Sequence, residues 1–283
     1  MNTVVSVSRD ATRLCRFAAL AVCGVAVAAS LPRPVAAATV SGWGLETGFT
    51  AATLTEGAAG AFSTTAPTNN AAPRALISPI DFSDPGDVVQ FTGQVTLSPP
   101  GANIGNQQFR IGLWDTNGAN TGTLSGGVWN SANANGWLGY MVQVGVSGGQ
   151  DSLKGRTNPN SAAWLSNTGT YVVNNTNVSD SPAAGTYDFT MTLTRNTASE
   201  VSIAYTLAGG NSINRVSGLL TDTNAAAAAM TTIDAVGFLL NTNTGAGSFT
   251  NLQVSAVPEP GSVALLVGAG IAGMTVRRRR LAA

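Results

Sequence analysis

Residues 186–207 read TYDFTMTLTRNTASEVSIAYTL, and their alternation of apolar and polar side chains decides the fold class. Apolar residues occupy every second position in the first half, and the second half repeats the pattern. A period of two places one set of side chains on a buried face and the other set in water, as in a β-strand. The linker RNTAS predicts a hairpin with the core residues Tyr187, Phe189, Met191, Leu193, Val201, Ile203, Tyr205 and Leu207.

The same alternation recurs along the chain. It is present in DVVQFTGQVTL (87–97), QFRIGLW (108–114) and WLGYMVQVGV (137–146), and further strands are predicted at AVGFLL (235–240) and SFTNLQVS (248–255). Residues 39–72 predict a first edge strand with loops, and the Ala-rich run 222–230 predicts a short helix. One-sided strands joined by Gly-, Asn- and Pro-rich turns predict an all-β fold, a jelly-roll-like sandwich of two antiparallel sheets.

Charge and missing residue types exclude several function classes. Between Thr39 and Val257, six basic and twelve acidic residues leave a net charge of −6. A domain of that sign lacks the clustered cations that nucleic-acid binding requires. The chain has no histidine, which excludes Ser-His-Asp and Cys-His catalysis and His-ligated metals. Both cysteines, Cys15 and Cys23, lie in a segment predicted to be removed, so the mature domain contains no disulfide.

Residues 1–38 have the order of a secretory signal peptide. The basic region contains Arg9, Arg13 and Arg16, the apolar core spans 17–29, and the small residues of the cleavage site are Ala36 and Ala38. This order predicts export through the Sec translocon and signal-peptidase cleavage before Thr39. A buried or membrane-anchoring helix is the weaker alternative, because the apolar core is short and Pro32 and Pro34 end a helix just after it.

Residues 257–283 predict a second processing signal. An apolar run at 263–276 is short for a membrane span, and the cluster Arg277, Arg278, Arg279 and Arg280 follows it. By the positive-inside rule these arginines stay in the cytoplasm and the domain lies outside. The alternative of an amphipathic helix packed on the domain is disfavoured, since the run has no polar face.

This C-terminal segment resembles the PEP-CTERM sorting signal. The resemblance rests on Val257, Pro258, Glu259 and Pro260, then the apolar stretch, then the arginine cluster at the extreme end. It implies export in a Gram-negative bacterium, transient inner-membrane anchoring by a short hydrophobic helix, and cleavage near residues 257–260 by exosortase. It also implies delivery to the cell surface or the medium in species that make exopolysaccharide. The predicted division is 1–38, 39–256 and 257–283.

The strand order of residues 39–256 is similar to that of concanavalin A-like and laminin-G-like jelly rolls. Such a domain invites a search for glycan contacts, and Trp129, Trp137 and Tyr140 are the candidates in the stretch SGGVWNSANANGWLGY (125–140). A tryptophan in the interior would be unusual in so polar a stretch, and an aromatic ring under a pyranose is typical of sugar recognition. The alternative is structural: Trp114 and Trp137 close the ends of the sandwich and Trp129 plugs a loop.

Acidic loops offer a weaker hypothesis of calcium binding. The motif DFSDPGD places Asp81, Asp84 and Asp87 three residues apart, and oxygen ligands suit calcium. The motif WDTNGANTG offers a second partial set in Asp115, Asn117 and Asn120. In both places the favoured interpretation is a turn, because Asp and Asn commonly bond nearby backbone amides there. The sequence therefore predicts no cofactor, with calcium as the alternative.

Catalysis requires a carboxylate pair that the sequence does not supply. A glycosidase needs two carboxyl groups on one site, and Asp188, on the polar face of its strand, has no acidic residue two or four positions away. We therefore expect a non-catalytic surface or extracellular-matrix protein associated with exopolysaccharide. A carbohydrate-binding module is the alternative, and an extracellular glycoside hydrolase is the less favoured one.

Overall fold

Strands account for nearly all of the regular structure in the described part of the chain. The computed structural model describes residues 37–40, 42–46, 54–57, 60–64, 72–98, 107–118, 128–129, 136–146, 151–156, 171–176, 184–210, 213–216, 219–223, 225–240 and 246–257. These residues belong to a compact unit spanning Val35–Val257. The remaining unit, Met1–Pro34 with Pro258–Ala283, lies outside the described residues. No helix among the described residues has the length and apolarity needed to cross a membrane.

Seventeen strands and one short helix follow each other along the described chain. The first eight strands are β1 (Ala37–Thr39), β2 (Gly44–Glu46), β3 (Leu54–Glu56), β4 (Phe62–Thr64), β5 (Pro73–Asp81), β6 (Val88–Ser98), β7 (Gln107–Asp115) and β8 (Val128–Trp129). The others are β9 (Leu138–Val146), β10 (Asp151–Arg156), β11 (Tyr171–Thr176), β12 (Gly185–Thr197), β13 (Glu200–Gly209), β14 (Ile213–Val216), β15 (Leu220–Asp222), β16 (Thr232–Leu240) and β17 (Ala246–Val257). The predicted helix is α1 (Ala225–Ala229), between β15 and β16.

The strands form two sheets that pack face to face. The nine-stranded sheet has the order β14-β13-β12-β6-β17-β4-β3, with β1 on β17 and β15 on β13. The eight-stranded sheet has the order β11-β10-β9-β7-β16-β5-β2-β8. Pairing is antiparallel except between the short strands β2 and β8. The predicted two-sheet antiparallel sandwich is confirmed. The predicted segment 39–72 contributes three short strands to it, β2, β3 and β4, together with the last residue of β1, rather than a single edge strand.

The hairpin of residues 186–207 pairs β12 with β13 along nearly its full length. Thr197 pairs with Glu200, so the turn consists of only Ala198 and Ser199, and most of the predicted linker is strand. All eight predicted core side chains of the hairpin are buried. The predicted inward phase of β6 and β7 is equally correct, since their apolar side chains are buried as well. In β9 the predicted core residues are buried through Val144, and the Val146 side chain lies outside the description.

An aromatic cluster fills the middle of the sandwich. Phe238 of the eight-stranded sheet lies with its ring centroid 4.4 Å from that of Phe249 and 5.4 Å from that of Phe91, both in the nine-stranded sheet. Phe62 stacks on Phe249 with a centroid distance of 4.5 Å. Aromatic rings of this size supply most of the burial that holds two sheets together.

β17 carries a bulge that the alternation of its sequence does not show. Its pairing with β6 shifts between Thr250 and Gln253, and Asn251 has a positive φ of 55°. The extra residue turns Leu252 into the core, where it fills the space above Gly93. A Cβ atom on Gly93 would lie 2.6 Å from Leu252 Cδ2. Glycine is therefore required there by the bulge opposite it.

The first and last described strands, β1 and β17, are neighbours in the nine-stranded sheet. β1 pairs antiparallel with β17, with Ala37 opposite Ser255 and Thr39 opposite Gln253. The predicted signal-peptidase residue Ala38 is thus part of a strand, and Ala36 lies outside the described residues. Cleavage before Thr39, as predicted, would remove two of the three paired residues of β1.

Candidate functional site: the outer face of the eight-stranded sheet

The outer face of the eight-stranded sheet carries an unusual set of buried cations. Side chains alternate along each strand, so residues that flank the core positions point away from the core. Four cations occupy such positions, and we call them the basic face: Arg74 on β5, Arg110 on β7, and Lys154 and Arg156 on β10. At most 7% of the surface of any of these side chains is exposed.

The strand register brings these residues into adjacent rows. Arg110 pairs with Gln143 of β9, and Gln143 in turn pairs with Ser152 of β10. Two residues along both strands, Met141 of β9 pairs with Lys154. Directly paired residues have Cβ atoms about 5 Å apart, and diagonal neighbours about 7 Å. Arg110, Gln143 and Lys154 therefore form one local group across three strands.

Glycines make room for an indole ring on this face. A Cβ atom on Gly112 would lie 2.5 Å from Trp114 Nε1, and one on Gly139 would lie 2.4 Å from Trp114 Cε3. The Trp114 ring therefore lies flat across two strands, over backbone that carries no side chain. Trp114 is fully buried in a second apolar cluster with Ala72, Trp137, Met141, Ala235 and Leu239.

Trp137 is buried in that second cluster rather than exposed in a polar loop. The guanidinium carbon of Arg74 lies 5.0 Å from the centroid of the Trp137 ring, a cation–π distance. The expectation that a tryptophan in this stretch stays outside the interior is wrong. Its physical reason is that Trp137 immediately precedes β9 and shares the outward phase of Gly139 and Met141.

Lys154 lies in an environment that disfavours its charge. Its Nζ donates a hydrogen bond to Gln143 Oε1 at 2.9 Å. Burial, and next the nearby charge of Arg110, lower the pKa of Lys154 to about 8. Burial and a neighbouring like charge both favour the neutral form of this amine.

Three described carboxylates illustrate where acidic side chains lie relative to this face. Asp151 shares β10 with two of the cations but takes the opposite phase, where it accepts hydrogen bonds from Gly145 N at 2.7 Å and from the Tyr205 hydroxyl. Asp234 accepts from Thr116 N at 2.8 Å. The outer-face carboxylate of β5, Asp81, lies seven residues from Arg74 along the strand, roughly 20 Å away.

The basic face was missed by sequence reasoning because it has no motif. Its members lie on three strands spread over residues 74–156. One signal was present: Arg110 stands between two core residues, Phe109 and Ile111, and so must point away from the core. Which outward positions become enclosed depends on how the rest of the chain folds, and alternation does not report it.

Tyr140 faces the opposite side of the sheet, into the core. Its hydroxyl donates to Asp222 Oδ2 at 3.0 Å, and burial together with the Asp222 charge raises its pKa. This position separates Tyr140 from Trp137 and does not fit a contact with glycan. Trp129 lies in β8, where Glu46 is its register partner, and its side chain lies outside the description.

The loop after β5 uses its acidic residues to cap its own turns. Asp81 Oδ1 accepts from Ser83 N at 3.1 Å, and Asp87 Oδ2 accepts from Asp84 N at 2.8 Å. These are the bonds expected of the turn interpretation. Among the described side chains no three His, Cys, Asp or Glu residues lie close enough together to hold a metal ion. Calcium binding by this loop stays a prediction.

Asp115 also caps a turn. Its Oδ1 accepts from Asn117 N at 2.7 Å, and its Oδ2 accepts from the backbone nitrogens of Thr231 and Thr232 at 2.9 and 3.0 Å. Asn120, the remaining member of the second proposed calcium set, lies outside the described residues. Asp188 is exposed on the outer face of the nine-stranded sheet, as its phase predicts.

The two predicted cleavage sites lie on paired strands: Ala38 belongs to β1 and Val257 to β17. β17 stays paired to its last residue, where Val257 lies opposite Val88. Pro258, Glu259, Pro260 and the arginine cluster follow directly and lie outside the described residues. Val257 is thus both the last residue of β17 and the first residue of the predicted cleavage motif.

Comparison with known proteins identifies this motif and the fold. Residues 256–280 match the PEP-CTERM protein-sorting motif, as the sequence predicted. The motif indicates export and transient membrane anchoring through the C-terminal signal. No curated protein sequence matches the chain.

Solved structures with a similar fold include several lectins. Peanut lectin with a bound 9mer peptide is 12% identical, with a TM-score of 0.44, covering 80% of this chain and 99% of that chain. The Emp46p carbohydrate recognition domain in its potassium-bound form is 10% identical, with a TM-score of 0.45, covering 76% and 87%. Lectin II from Ulex europaeus is 10% identical, with a TM-score of 0.45, covering 81% and 99%. The similarity concerns the fold alone.

Proposed function

We propose that the sandwich is a non-catalytic component of the cell surface or extracellular matrix of a Gram-negative bacterium, processed by exosortase and associated with exopolysaccharide. The observation that carries the proposal is the sorting motif at residues 256–280, which begins at the last two residues of β17. Signal peptidase and the Sec translocon handle the other end of the chain. The sandwich itself is the mature product.

The position of the motif fits a cut that leaves the domain intact. β17 makes ladder pairs with β6 as far as Val257, so a cut after that residue removes none of its pairing. From the sequence, Pro258 and Pro260 are expected to disfavour helix there, and an extended segment is the form in which a protease holds its substrate. The C-terminal segment is therefore suited to removal without cost to the fold.

The placement of the acidic residues supports a non-catalytic role. Asp151 and Asp222 are buried and each accepts a hydrogen bond from a core tyrosine. Hydrogen bonds of this kind give both carboxylates a structural role in joining the two sheets. The proposed function requires no cofactor.

Carbohydrate binding is the second candidate, with Trp129 as the predicted contact. Trp129 lies on β8, the last strand in the order of the eight-stranded sheet, and tryptophan is a residue type that holds a sugar. A matrix protein with such a site would be retained by the polymer around the cell.

Intact-mass measurement of the protein from the envelope and culture fluid of its native host tests the main proposal. A species that begins near residues 37–39 and ends near Val257 would support double processing. A species that retains Arg277 to Arg280 in every fraction would overturn it. Replacing Pro258, Glu259 and Pro260 with alanine is expected to abolish C-terminal trimming, whereas the exposed control Asp188→Asn is expected to leave it unchanged.

A further inference from the structure

The middle of the nine-stranded sheet presents an outer face that is almost without charge, although the domain carries a net charge of −6. Its four central strands, β13, β12, β6 and β17, place fifteen outward residues in four consecutive register rows, and we call these residues the hydroxyl face. The rows are Ser248, Thr96 and Thr186; Thr250, Gln94, Asp188 and Ala208; Gln253, Thr92, Thr190 and Thr206; and Ser255, Gln90, Thr192 and Ala204. All fifteen side chains are exposed or half-buried.

The composition of the hydroxyl face is unusual for a protein surface. Nine of its fifteen residues are threonine or serine, three are glutamine, and Asp188 is the one charged residue among them. A typical surface carries Lys, Arg, Asp or Glu at about one position in three or four, so roughly four or five charges would be ordinary here. Threonine favours strands, which explains its presence but does not explain the missing charges.

Contacts between strands hold polar groups of this face in place. The hydroxyl oxygens of Thr96 and Thr186 lie 2.8 Å apart, at hydrogen-bond distance, and Gln94 Oε1 accepts from Asn251 Nδ2 at 3.3 Å. A branched Cβ also restricts each threonine side chain to few rotamers. Little side-chain entropy is therefore lost when a ligand binds, in contrast to a face made of lysine and glutamate.

The residue types of the hydroxyl face select one class of partner. Nucleic acid requires clustered cations, a protein partner requires aromatic or arginine anchors, and a membrane surface requires large apolar or basic side chains. The fifteen residues include none of these types. Hydroxyl and amide groups both donate and accept hydrogen bonds, as the hydroxyl groups of a sugar do. Asp188 and the negative charge of the domain disfavour an anionic polymer, so the match is to an uncharged polysaccharide.

The dimensions of the hydroxyl face suit a chain rather than a single sugar. Neighbouring strands are about 4.8 Å apart and successive rows about 6.8 Å apart, so the face covers roughly 14 by 20 Å. An area of this shape accommodates several units of an extended polysaccharide. Many weak hydrogen bonds to one chain then act together.

We infer that the hydroxyl face binds an extended, uncharged polysaccharide, with the row of Thr92, Thr190 and Thr206 at the centre of the contact. The inference rests on the proposed function, association with exopolysaccharide, and names the surface and the polymer class of that association. It is distinct from the second candidate, whose predicted contact Trp129 lies in the other sheet. It also gives a reason for the missing charges, because charged side chains would lose water on contact with a neutral polymer, at a cost in free energy.

Affinity electrophoresis of the purified full-length chain tests this inference, in native gels that contain hydroxyethyl cellulose, dextran or galactomannan. We expect at least one of these neutral polymers to slow the protein, and added salt to leave the effect unchanged because uncharged contacts are not screened. Carboxymethyl cellulose, the anionic counterpart of hydroxyethyl cellulose, is expected to slow it less. The triple variant Thr92→Val, Thr190→Val and Thr206→Val keeps the side-chain shape, removes three hydroxyl groups and is expected to weaken binding by about tenfold or more.

A matched pair of lysine variants separates the face from the rest of the domain. Thr190→Lys places a long charged side chain at the centre of the contact and is expected to weaken binding by about tenfold as well. Thr223→Lys makes the same change at an exposed position after β15 and is expected to alter the affinity by less than about twofold. Circular dichroism of every variant verifies the fold.

Three results would overturn the inference. They are no retardation of the folded wild type by any of the three neutral polymers, stronger retardation by carboxymethyl cellulose than by hydroxyethyl cellulose, and equal retardation of the wild type and both face variants. If Trp129→Ala abolishes retardation and the face variants do not, binding belongs to the second candidate instead. The mass measurement judges the sorting proposal independently of all these outcomes.

Discussion

Tyr140 of the eight-stranded sheet donates a hydrogen bond to Asp222 of the nine-stranded sheet at 3.0 Å. A second pair runs in the opposite direction, because Tyr205 of the nine-stranded sheet donates to Asp151 of the eight-stranded sheet. Apolar contacts between sheets tolerate sliding, whereas hydrogen bonds between buried groups are specific in direction and position. The two reciprocal pairs therefore fix how one sheet lies over the other.

The first prediction concerns the Tyr140 hydroxyl. Tyr140→Phe is expected to lower the free energy of unfolding by about 2 kcal/mol, since it removes one donor from a buried carboxylate. Urea denaturation measures the change, and the exposed variant Asp188→Asn serves as the control with an effect near zero. An unchanged unfolding midpoint in Tyr140→Phe would show that the cross-sheet bond contributes nothing.

The second prediction follows from the lowered pKa of Lys154, about 8 against 10.5 for an ordinary lysine. Between these two pH values the unfolded chain holds the proton and the folded domain does not, so stability rises with pH across that window. Lys154→Met is expected to remove this contribution and to raise stability at pH 7, where the wild type holds a buried charge. The difference between the two urea midpoints, measured from pH 7 to pH 10, reports it. A difference that does not change with pH would contradict the assignment.

The third prediction concerns Arg195, which the sequence places in the predicted hairpin linker RNTAS. It is 1% exposed and donates to the carbonyl oxygens of Phe82, Ala198, Ala227 and Met230. Arg195→Met is expected to destabilise the domain by about 3 kcal/mol or more, because several buried carbonyls lose their donor together.

A lysine at this position separates charge from geometry. Arg195→Lys is expected to recover only part of the loss, since an ammonium cannot span the same set of acceptors. Thermal melts of both variants measure the effect. Equal melting temperatures for Arg195→Lys and the wild type would mean that the shape of the guanidinium group does not contribute to stability.

The fourth prediction concerns Gly112, whose backbone lies against the indole ring of Trp114. The Cβ introduced by Gly112→Ala would lie only 2.5 Å from the indole nitrogen of Trp114. This overlap is expected to destabilise the domain by about 1–3 kcal/mol. The displaced indole should also shift the tryptophan fluorescence maximum. Gly57→Ala is the matched control, because its Cβ would meet Ala61 at an ordinary 3.5 Å. Identical spectra and melts for the wild type and Gly112→Ala would contradict the position of the ring.

The alternation of the hairpin was sufficient to predict the sandwich. Tyr187 and Val201 lie in the core because a period of two leaves no other face for them. The bulge at Asn251 could not be predicted in the same way, since it depends on the space above Gly93 in another strand. Alternation predicts which residues share one face of a strand. Whether that face is buried or exposed to solvent depends on tertiary packing.

The candidate site shows this limit most clearly. The position of Trp137 suggested a loop, yet its ring lies against Arg74 from a strand 63 residues earlier in the chain. Four cations on three strands become neighbours only through the order β10-β9-β7-β16-β5, which no local pattern encodes. The sorting motif, by contrast, is contiguous and could be recognised directly.

The central position of β17 has a mechanical consequence. Its residues pair with β6 from Ala246 to Val257, and β4 and β1 pair on its other side. A pull on the C-terminal tail along this strand strains all of those hydrogen bonds in shear at once, rather than unzipping them singly from an edge. While the tail is still anchored, a pull on it is therefore carried by a 12-residue strand that has hydrogen-bonded partners on both sides.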